Sequence, residues 1–379
     1  MPAPITVLFM ELTGEIYGGG QRSLLDVMTH LPPERFRAVL VCGSDGTLVR
    51  AARAAGLATH VVPMPSFRHE WRSVRQARGR LHAILREERV GLVHANVIRA
   101  ALYALPVTRA AQIPLIFNVR VTDCPRPWDR WLDRWVAHRA QLIVANSEAV
   151  AARFGWLRGT PRLRVVHTGL DLRAYPTPTD ATWLRQRLGL TPAARLLGIV
   201  ALLEPRKGHA VLWQALPQIL SRYPQAQVVA AGREPIGHRG YQHELTAMLV
   251  QQGLSSHVTF AGFLDDIPQA LGGVEVCVLP VIQPEGFPRA LLEAAALERA
   301  IVATPLGGVR EIIEHDVTGL LVPPNDPERL AEAVLRLLDD PALAQRLGRA
   351  ARERVAARFT LAAMMQRWQE IYELVMARE

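Results

Sequence analysis

The sequence of 379 residues lacks the features of several common protein classes. Its three cysteines, Cys42, Cys124 and Cys277, lie far apart and form no CxxC pair. This spacing argues against a disulfide framework or a structural zinc site and fits a reducing compartment. No apolar run reaches the length of a membrane-spanning helix, and residues 5–10 lack the basic segment of a signal peptide. We therefore expect a cytoplasmic globular protein.

Lysine is almost absent, because the chain contains 43 arginines and one lysine, Lys207. An ammonium group is a compact charge with freely directed donors, whereas a guanidinium group is a planar fork. A chain that uses arginine elsewhere and lysine at one position indicates that position 207 requires an ammonium group. Chance retention is the alternative interpretation.

Positive charge is concentrated in the first half of the chain. The net charge is +11 over residues 1–175 and −2 over residues 176–379. A basic half favours an anionic partner, such as a phospholipid surface or a phosphorylated acceptor, although general solubility explains it equally well. A nucleic-acid partner is not expected, since no known binding motif accompanies the charge.

Short apolar runs alternate with helical patterns throughout, which predicts βαβ units and parallel sheets. Two such series lie on either side of the proline-rich linker 175–180 and predict two doubly wound α/β domains, residues 1–175 and 176–359. A last helix over residues 360–379 carries an apolar stripe. The predicted strands cover residues 5–10, 38–42, 59–62, 92–94, 115–119, 142–145, 164–167, 196–202, 227–231, 258–260, 274–279, 300–303 and 320–322.

The first candidate motif is the glycine run 18–20, which follows the first predicted strand and leads into a helix. Glycines allow close approach of a ligand, and a helix N-terminus offers N–H groups to a phosphate. The run is not GxGxxG, because position 23 is serine, and no acid suited to a ribose follows. A dinucleotide-dependent oxidoreductase is therefore disfavoured, and a flexible surface loop remains an alternative.

The second and third motifs also lie between a strand and a helix, where open α/β sheets bind ligands. Arg206 and Lys207 could neutralise a diphosphate, or they could belong to a solvated turn. Glu285 and Glu293 lie about two helical turns apart, so we expect them to share one helix face. Glu293 needs a partner in its apolar stretch. The alternative is one capping acid and one surface acid.

Taken together, these motifs resemble the GT-B retaining glycosyltransferases of family 4, also called glycosyl transferases group 1. The resemblance implies two Rossmann-like domains that face each other across a cleft. It assigns residues 1–175 to the acceptor side and 176–359 to the nucleotide-sugar donor, with helix 360–379 returning to the first domain. The segments that carry it are the glycine run and residues 144–148, 166–171, 205–208, 258–262, 285–293 and 307–322.

The resemblance also implies roles for individual residues. Lys207 and Arg206 would hold the donor diphosphate, Glu293 the ribose, and Glu285 the sugar. Metal ions and cofactors are not required in such enzymes, since cationic side chains and helix N-termini stabilise the diphosphate. The other implied donor-binding residues are Gly19, Gly20, Gly262, Gly286 and Phe287.

Two positions depart from the family pattern. Many relatives have Gly-Arg ahead of the Lys-Gly motif, where this chain has residues 201–203, Ala-Leu-Leu. Either Arg206 substitutes for that arginine, or part of the positive charge is missing. Relatives often place a sugar-contacting histidine where this chain has Asn118 and Arg120. His94 matches a family histidine near the acceptor, and a core histidine is the alternative.

The predicted function is transfer of a hexose from a UDP- or GDP-sugar to a hydroxyl acceptor, in a lipid-linked or cell-surface polysaccharide or lipopolysaccharide precursor. The alternative is a degenerate protein or partner subunit that binds a nucleotide sugar without turnover. Peripheral contact with the inner face of a membrane is a further expectation from the basic first domain. Three tryptophans at helical spacing support this expectation, and packing in the core is the alternative interpretation for them. They are Trp128, Trp131 and Trp135.

Overall fold

The computed structural model describes residues 3–67, 70–122, 127–180, 182–235, 240–264 and 266–377. The chain divides into two compact units, Met1–Gly169 with Leu361–Glu379, and Leu170–Thr360. Each unit is an open parallel β-sheet with apolar cores on both faces. Such a sheet needs helices on both faces, because apolar side chains project from each side of a buried strand.

The described strands of the first unit pair in parallel in the order β3-β2-β1-β4-β5-β6-β7. They are β1 Ile5–Glu11, β2 Phe36–Cys42, β3 Ala58–Val61, β4 Val90–Ala95, β5 Leu115–Val119, β6 Leu142–Ala145 and β7 Leu163–Val165. The helices between them are α1 Gly19–Thr29, α2 Thr47–Ala54, α3 Trp71–Glu87, α4 Ile98–Ala111, α5 Pro127–Arg139 and α6 Glu148–Ala151.

The described strands of the second unit pair in parallel in the order β10-β9-β8-β11-β12-β13. They are β8 Arg195–Val200, β9 Ala226–Ala231, β10 Val258–Gly262, β11 Val276–Leu279, β12 Ala300–Ala303 and β13 Leu320–Leu321. Its helices are α7 Trp183–Leu188, α8 His209–Arg222, α9 Tyr241–Gln251, α10 Ile267–Gly272, α11 Arg289–Ala296, α12 Val309–Ile312, α13 Pro327–Asp339 and α14 Pro341–Arg358.

The last helix, α15 Leu361–Met376, packs on the first sheet beside α1 and α2. Its rings Trp368 and Tyr372 stack at 5.5 Å between centroids, and Tyr372 meets Phe9 of β1 edge-on at 6.4 Å. The apolar stripe of the last helix is therefore buried in the first unit. Its buried members are Leu361, Met364, Met365, Trp368, Ile371, Tyr372 and Val375.

Both parallel sheets predicted from the sequence are confirmed, and the strand ends differ from the predicted ones by at most two residues. In each sheet the strand order reverses direction once, between β1 and β4 and between β8 and β11. Loops at the carboxyl ends of the strands diverge at such a switch point and leave a crevice for a ligand. The carboxyl ends of the strands at each switch point are therefore the candidate binding site of that unit. We call this site the first edge in the first unit and the second edge in the second unit.

Candidate active site

The carboxyl end of β8 leads into the turn that carries the single lysine. Pro205–Lys207 form one 3₁₀ turn, and Gly208 follows with a φ of +77°. A side chain at position 208 would collide with the carbonyl oxygen of Pro280, which follows β11. Glycine at 208 thus lets the loops after β8 and β11 touch, and the Ile282 N–H donates to the Arg206 carbonyl at 2.9 Å.

Four charged side chains meet where these loops touch, and we call Glu204, Arg206, Lys207 and Glu285 the Glu285 cluster. Lys207 Nζ lies 2.8 Å from Glu285 Oε2, and Arg206 Nη1 lies 2.5 Å from Glu285 Oε1. Arg206 Nη2 lies 2.6 Å from Glu204 Oε1. The side chains of Lys207 and Glu285 are 12% and 9% exposed, so removal of either would leave a poorly solvated charge.

Glu285 and Glu293 do not share a helix face, and that expectation is wrong. Helix α11 begins at Arg289, and the preceding Pro288 is extended with φ −71° and ψ 108°. A residue before proline is biased against helical geometry, so the helix cannot extend back to Glu285. Glu285 and Gly286 lie in the loop, while Phe287 packs edge-on against Phe359 at 5.2 Å.

A glycine turn after β12 holds the backbone of Glu285 in place. The Gly308 N–H donates to the Glu285 carbonyl at 2.9 Å, and Gly307 pairs with Glu285 as an isolated parallel bridge. Gly307 has a φ of +60°, and a Cβ at 307 or 308 would overlap backbone atoms of Glu285 or Gly286. This glycine pair therefore positions Glu285.

Glu293 lies in α11 with two donors on one carboxylate oxygen. Arg289 Nε donates to Glu293 Oε1 at 2.8 Å, and the Tyr175 hydroxyl donates to it at 3.1 Å. The acid therefore has the partners that its apolar surroundings require. Burial, together with the Glu293 carboxylate, raises the pKa of Tyr175, so the phenol remains a donor.

Gly262 lies away from the Glu285 cluster. It ends β10, the edge strand, which β9 separates from β8. Its φ is +68°, and a Cβ there would meet no atom within 4 Å. Gly262 therefore lies at the carboxyl ends of the strands of the same sheet, but it is two strands away from β8 and the cluster.

In the first unit, Gly19 and Gly20 begin α1 and lie beside Arg120. A Cβ on Gly20 would stand 3.6 Å from Arg120 Nε, and Arg120 Nη2 donates to Thr168 Oγ1 at 3.3 Å. No acidic side chain lies in the first turn of α1, and Gly18 before it offers no side-chain cap. The structure thus brings the glycine run and Arg120 together at one edge.

Three buried polar side chains cross the ends of β1, β4 and β5. Asn118 Nδ2 donates to Asn96 Oδ1 at 2.9 Å, and Asn96 Nδ2 donates to Glu11 Oε2 at 2.6 Å. Burial raises the pKa of Glu11, although Asn96 and Arg120 act in the opposite direction. The sequence analysis missed Glu11 and Asn96. The signal that could have found them is a polar residue at the end of, or directly after, an apolar strand.

His94 lies in the core beside α15, the alternative that the sequence left open. Its Nδ1 is 2.8 Å from the Tyr372 hydroxyl, and its ring centroid is 4.5 Å from that of Trp368. Burial, with a smaller effect of Arg120, lowers the pKa of His94 to about 3, so the ring is neutral.

Helix α5 presents part of its tryptophan face to solvent. Trp131 is 63% exposed, whereas Trp135 is partly buried against the core. The guanidinium of Arg134 lies 4.9 Å from the ring centroid of Trp156, which is also exposed. The Trp128 side chain lies outside the described residues.

Comparison with known proteins identifies the family of this chain. Residues 17–174 match the family described as Glycosyltransferase Family 4, and residues 194–340 match Glycosyl transferases group 1. The structure of Anabaena HepE in complex with UDP-glucose superimposes with a TM-score of 0.85 at 24% identity, covering 97% of this chain and 99% of HepE. The chain belongs to the GT-B glycosyltransferases.

Two curated relatives of this glycosyltransferase are mannosyltransferases. The GDP-mannose-dependent monoacylated alpha-(1-6)-phosphatidylinositol monomannoside mannosyltransferase of Corynebacterium glutamicum is 27% identical over 65% of this chain and 66% of its own length. The lipopolysaccharide core biosynthesis mannosyltransferase LpcC of Rhizobium leguminosarum is 30% identical over 60% of this chain and 63% of its own. The chain thus spans just under two thirds of each relative's length.

The described part of this glycosyltransferase lacks two features. No group of three or more His, Cys, Asp or Glu side chains could hold a metal ion there. No helix within the same ranges is long and apolar enough to cross a membrane.

Proposed function

We propose that this glycosyltransferase moves a hexose from a UDP- or GDP-sugar to a hydroxyl group of a lipid-linked or cell-surface polysaccharide or lipopolysaccharide precursor, with retention of configuration. The observation that carries the proposal is the Glu285 cluster at the switch point of the second sheet. The donor and acceptors named for the two mannosyltransferases, and the UDP-glucose in HepE, support this donor and acceptor class.

The donor diphosphate would bind to Lys207 and Arg206. Both cations lie in the turn that follows β8 and contact the carboxylate of Glu285, so they are held in position before the donor arrives. An ammonium and a guanidinium group can each form charge-assisted hydrogen bonds with phosphate oxygens. The loop that precedes α11 leaves backbone N–H groups at the N-terminus of that helix for the same anion.

The two glutamates would take the two sugar rings of the donor. Glu285 would accept hydrogen bonds from hydroxyls of the transferred sugar, since its backbone is fixed by the glycine pair Gly307–Gly308. Glu293, which Arg289 and Tyr175 hold from one side, would accept from the ribose hydroxyls. A carboxylate oxygen has two lone pairs, so such an acid can bind protein and ligand donors together.

The reaction would depend on stabilising the departing nucleoside diphosphate. Lys207 and Arg206 would neutralise the charge that develops on the leaving phosphate. The acceptor hydroxyl would attack on the face from which the phosphate leaves, and that phosphate would take the hydroxyl proton. This chemistry needs neither a separate base nor a divalent metal ion, so we expect transfer to continue in EDTA.

The acceptor would bind at the carboxyl ends of the strands of the first unit, near Asn118 and Arg120. The guanidinium group suits an anionic acceptor, such as a phosphorylated lipid headgroup. The exposed Trp131 on basic helix α5 would contact the inner face of the membrane, since tryptophan and arginine favour that interface.

The assignment of Lys207 is tested by Lys207→Ala. We expect the affinity for UDP or GDP to fall about 10- to 100-fold, because one charge-assisted hydrogen bond is worth about 1.5–3 kcal/mol. Affinity for uridine or guanosine should hardly change. Titration calorimetry measures both, and Arg329→Ala at an exposed ion pair of the same unit is the control. An equal loss for nucleoside and nucleoside diphosphate would refute the assignment.

Turnover separates the enzyme from a degenerate binding protein. Incubation with UDP- and GDP-sugars should release free sugar slowly, because water can replace the acceptor. Nucleotide binding without any hydrolysis or transfer would favour the degenerate alternative.

A further inference from the structure

Glu204 is the member of the Glu285 cluster that neither the sequence motifs nor the proposed mechanism uses. It lies between β8 and the turn Pro205–Lys207 and is 8% exposed. Its side chain does not cap that turn. Its Oε1 lies 2.6 Å from Arg206 Nη2, so its one close contact described here is with the guanidinium group.

The contact between Glu204 and Arg206 is electrostatic. Glu204 Oε1 is buried and forms an ion pair with Arg206 Nη2 at 2.6 Å. The other end of the same guanidinium group makes a directed hydrogen bond to Glu285 at 2.5 Å. Arg206 therefore bridges the two carboxylates, Glu204 and Glu285.

The charge balance of the cluster depends on Glu204. Arg206 and Lys207 supply two positive charges, and Glu204 and Glu285 supply two negative ones. Glu285 contacts both cations, so it would be needed for their placement even without Glu204. Removal of the Glu204 charge would leave the cluster net positive, which favours the binding of phosphate oxygens.

We propose that Glu204 is a positioning residue whose carboxylate offsets the charge of Arg206, so that the site releases the nucleoside diphosphate product. This inference rests on the proposed function of the cluster. Without Glu204, Glu285 alone would offset the two cations, so the site would hold the product more tightly and release it more slowly. Release of product limits the rate of many enzymes.

The test is Glu204→Gln in the full chain, with UDP and GDP as probes. Glutamine keeps the size of the side chain and removes its charge. We expect whichever nucleotide binds the wild type to bind the variant about three- to tenfold more tightly, with uridine or guanosine unchanged. The effect should be modest because Arg206, the cation that Glu204 faces, is partly exposed. Turnover should fall in step with stronger product inhibition. Glu204→Asp should retain wild-type affinity.

Glu332→Gln is the matched control, because it removes one negative charge at an exposed site of the same unit. It should not change the affinity for either nucleotide. An affinity of Glu204→Gln that is unchanged or lower, while Lys207→Ala still weakens binding, would overturn the role of Glu204 alone. A wild-type protein that binds neither UDP nor GDP would overturn the proposed function as well.

Discussion

The two sheets carry different chemistry at equivalent places. In the first unit, the ends of β1, β4 and β5 are joined by the hydrogen-bonded chain Glu11–Asn96–Asn118. In the second unit, the loops after β8 and β11 are joined by the ion pairs of the Glu285 cluster. Both contacts cross the point at which strand order reverses.

The difference lies in what each edge can do for a ligand. Amides and one buried carboxyl group recognise hydroxyls through directed hydrogen bonds. An ion cluster instead stabilises a charge that develops during reaction. Under the proposed function, the same topology would provide a hydroxyl-binding edge in one unit and a diphosphate-binding edge in the other, as expected when function lies in grafted side chains.

Deletion of α15 should have the largest effect, because it should disrupt the first edge and leave the second edge intact. Deletion of residues 361–379 strips the buried face of that helix, including Trp368 and Tyr372, from the first unit. We expect transfer to fall by at least about 100-fold, since even small misplacement of reacting groups costs that much. Binding of UDP or GDP should remain measurable, because Lys207 lies in the second unit.

The control for the deletion is Gln366→Ala on the exposed side of α15, which should transfer normally. Hydrogen exchange should show the first sheet opened and the second still protected. Normal turnover in the truncated protein would contradict the role of the helix.

Gly307→Ala should distort the second edge without removing a charged side chain. Alanine there would take a left-handed conformation, at about 1–2 kcal/mol, and its Cβ would overlap the Glu285 backbone. We expect a loss of stability larger than that strain and at least about tenfold weaker binding of nucleoside diphosphate. Gly253→Ala is the matched control, since its φ is +67° with open space around a Cβ. Equal effects of the two changes would show that the close contact does not position Glu285.

The second edge could be predicted from the sequence better than the first. Lys207 and its neighbours are contiguous in sequence and stand out by composition, so a local pattern was sufficient. Glu11 and Asn96 are 85 residues apart, and only the adjacency of β1 and β4 brings them together. Local patterns carry no information on that pairing.

The error at Glu285 and Glu293 has a local cause. The eight-residue spacing suits a helix, yet Pro288 delays the start of α11 until Arg289. The role of Gly307 and Gly308 also escaped prediction, because it depends on contact with a loop from another strand. Parallel sheets and strand positions were predictable since alternation of buried strands and helices is itself local.

Asn96→Ala breaks the first edge. It leaves the Glu11 carboxyl group without its amide donor and the Asn118 amide without its acceptor. Glu11 keeps the hydrogen bond from the Leu12 N–H, so the change removes two buried hydrogen bonds and should cost about 2–4 kcal/mol of unfolding free energy. Asn118→Ala, which removes the donor of one bond, should cost about half as much. Denaturant unfolding followed by hydrogen exchange measures the loss in each unit. Nucleotide affinity that falls in parallel would contradict the separation of the edges.

The smallest expected effect is the loss of folding stability at acidic pH, which should differ between the two units. Each contains a buried neutral histidine, His94 or His209, and burial lowers the pKa of both to about 3, with smaller effects of Arg120 and Lys207. Below pH 6.5 the unfolded chain binds protons that the folded histidines do not, so each histidine reduces stability as pH falls toward 3.

The two units should nevertheless respond unequally. In the first unit, Glu11 has a raised pKa, so its folded form takes up a proton more readily and offsets part of the loss. In the second unit, neither ring nitrogen of His209 has a hydrogen-bond partner among the described residues. His209→Leu should therefore remove about 1–2 kcal/mol of the stability lost between pH 7 and pH 5. His94→Leu should also lower the stability at pH 7, because it removes the bond to Tyr372. The measurement is the unfolding free energy of the second unit between pH 7 and pH 5. An equal decrease in wild type and His209→Leu would show that His209 is not the acid-sensitive group.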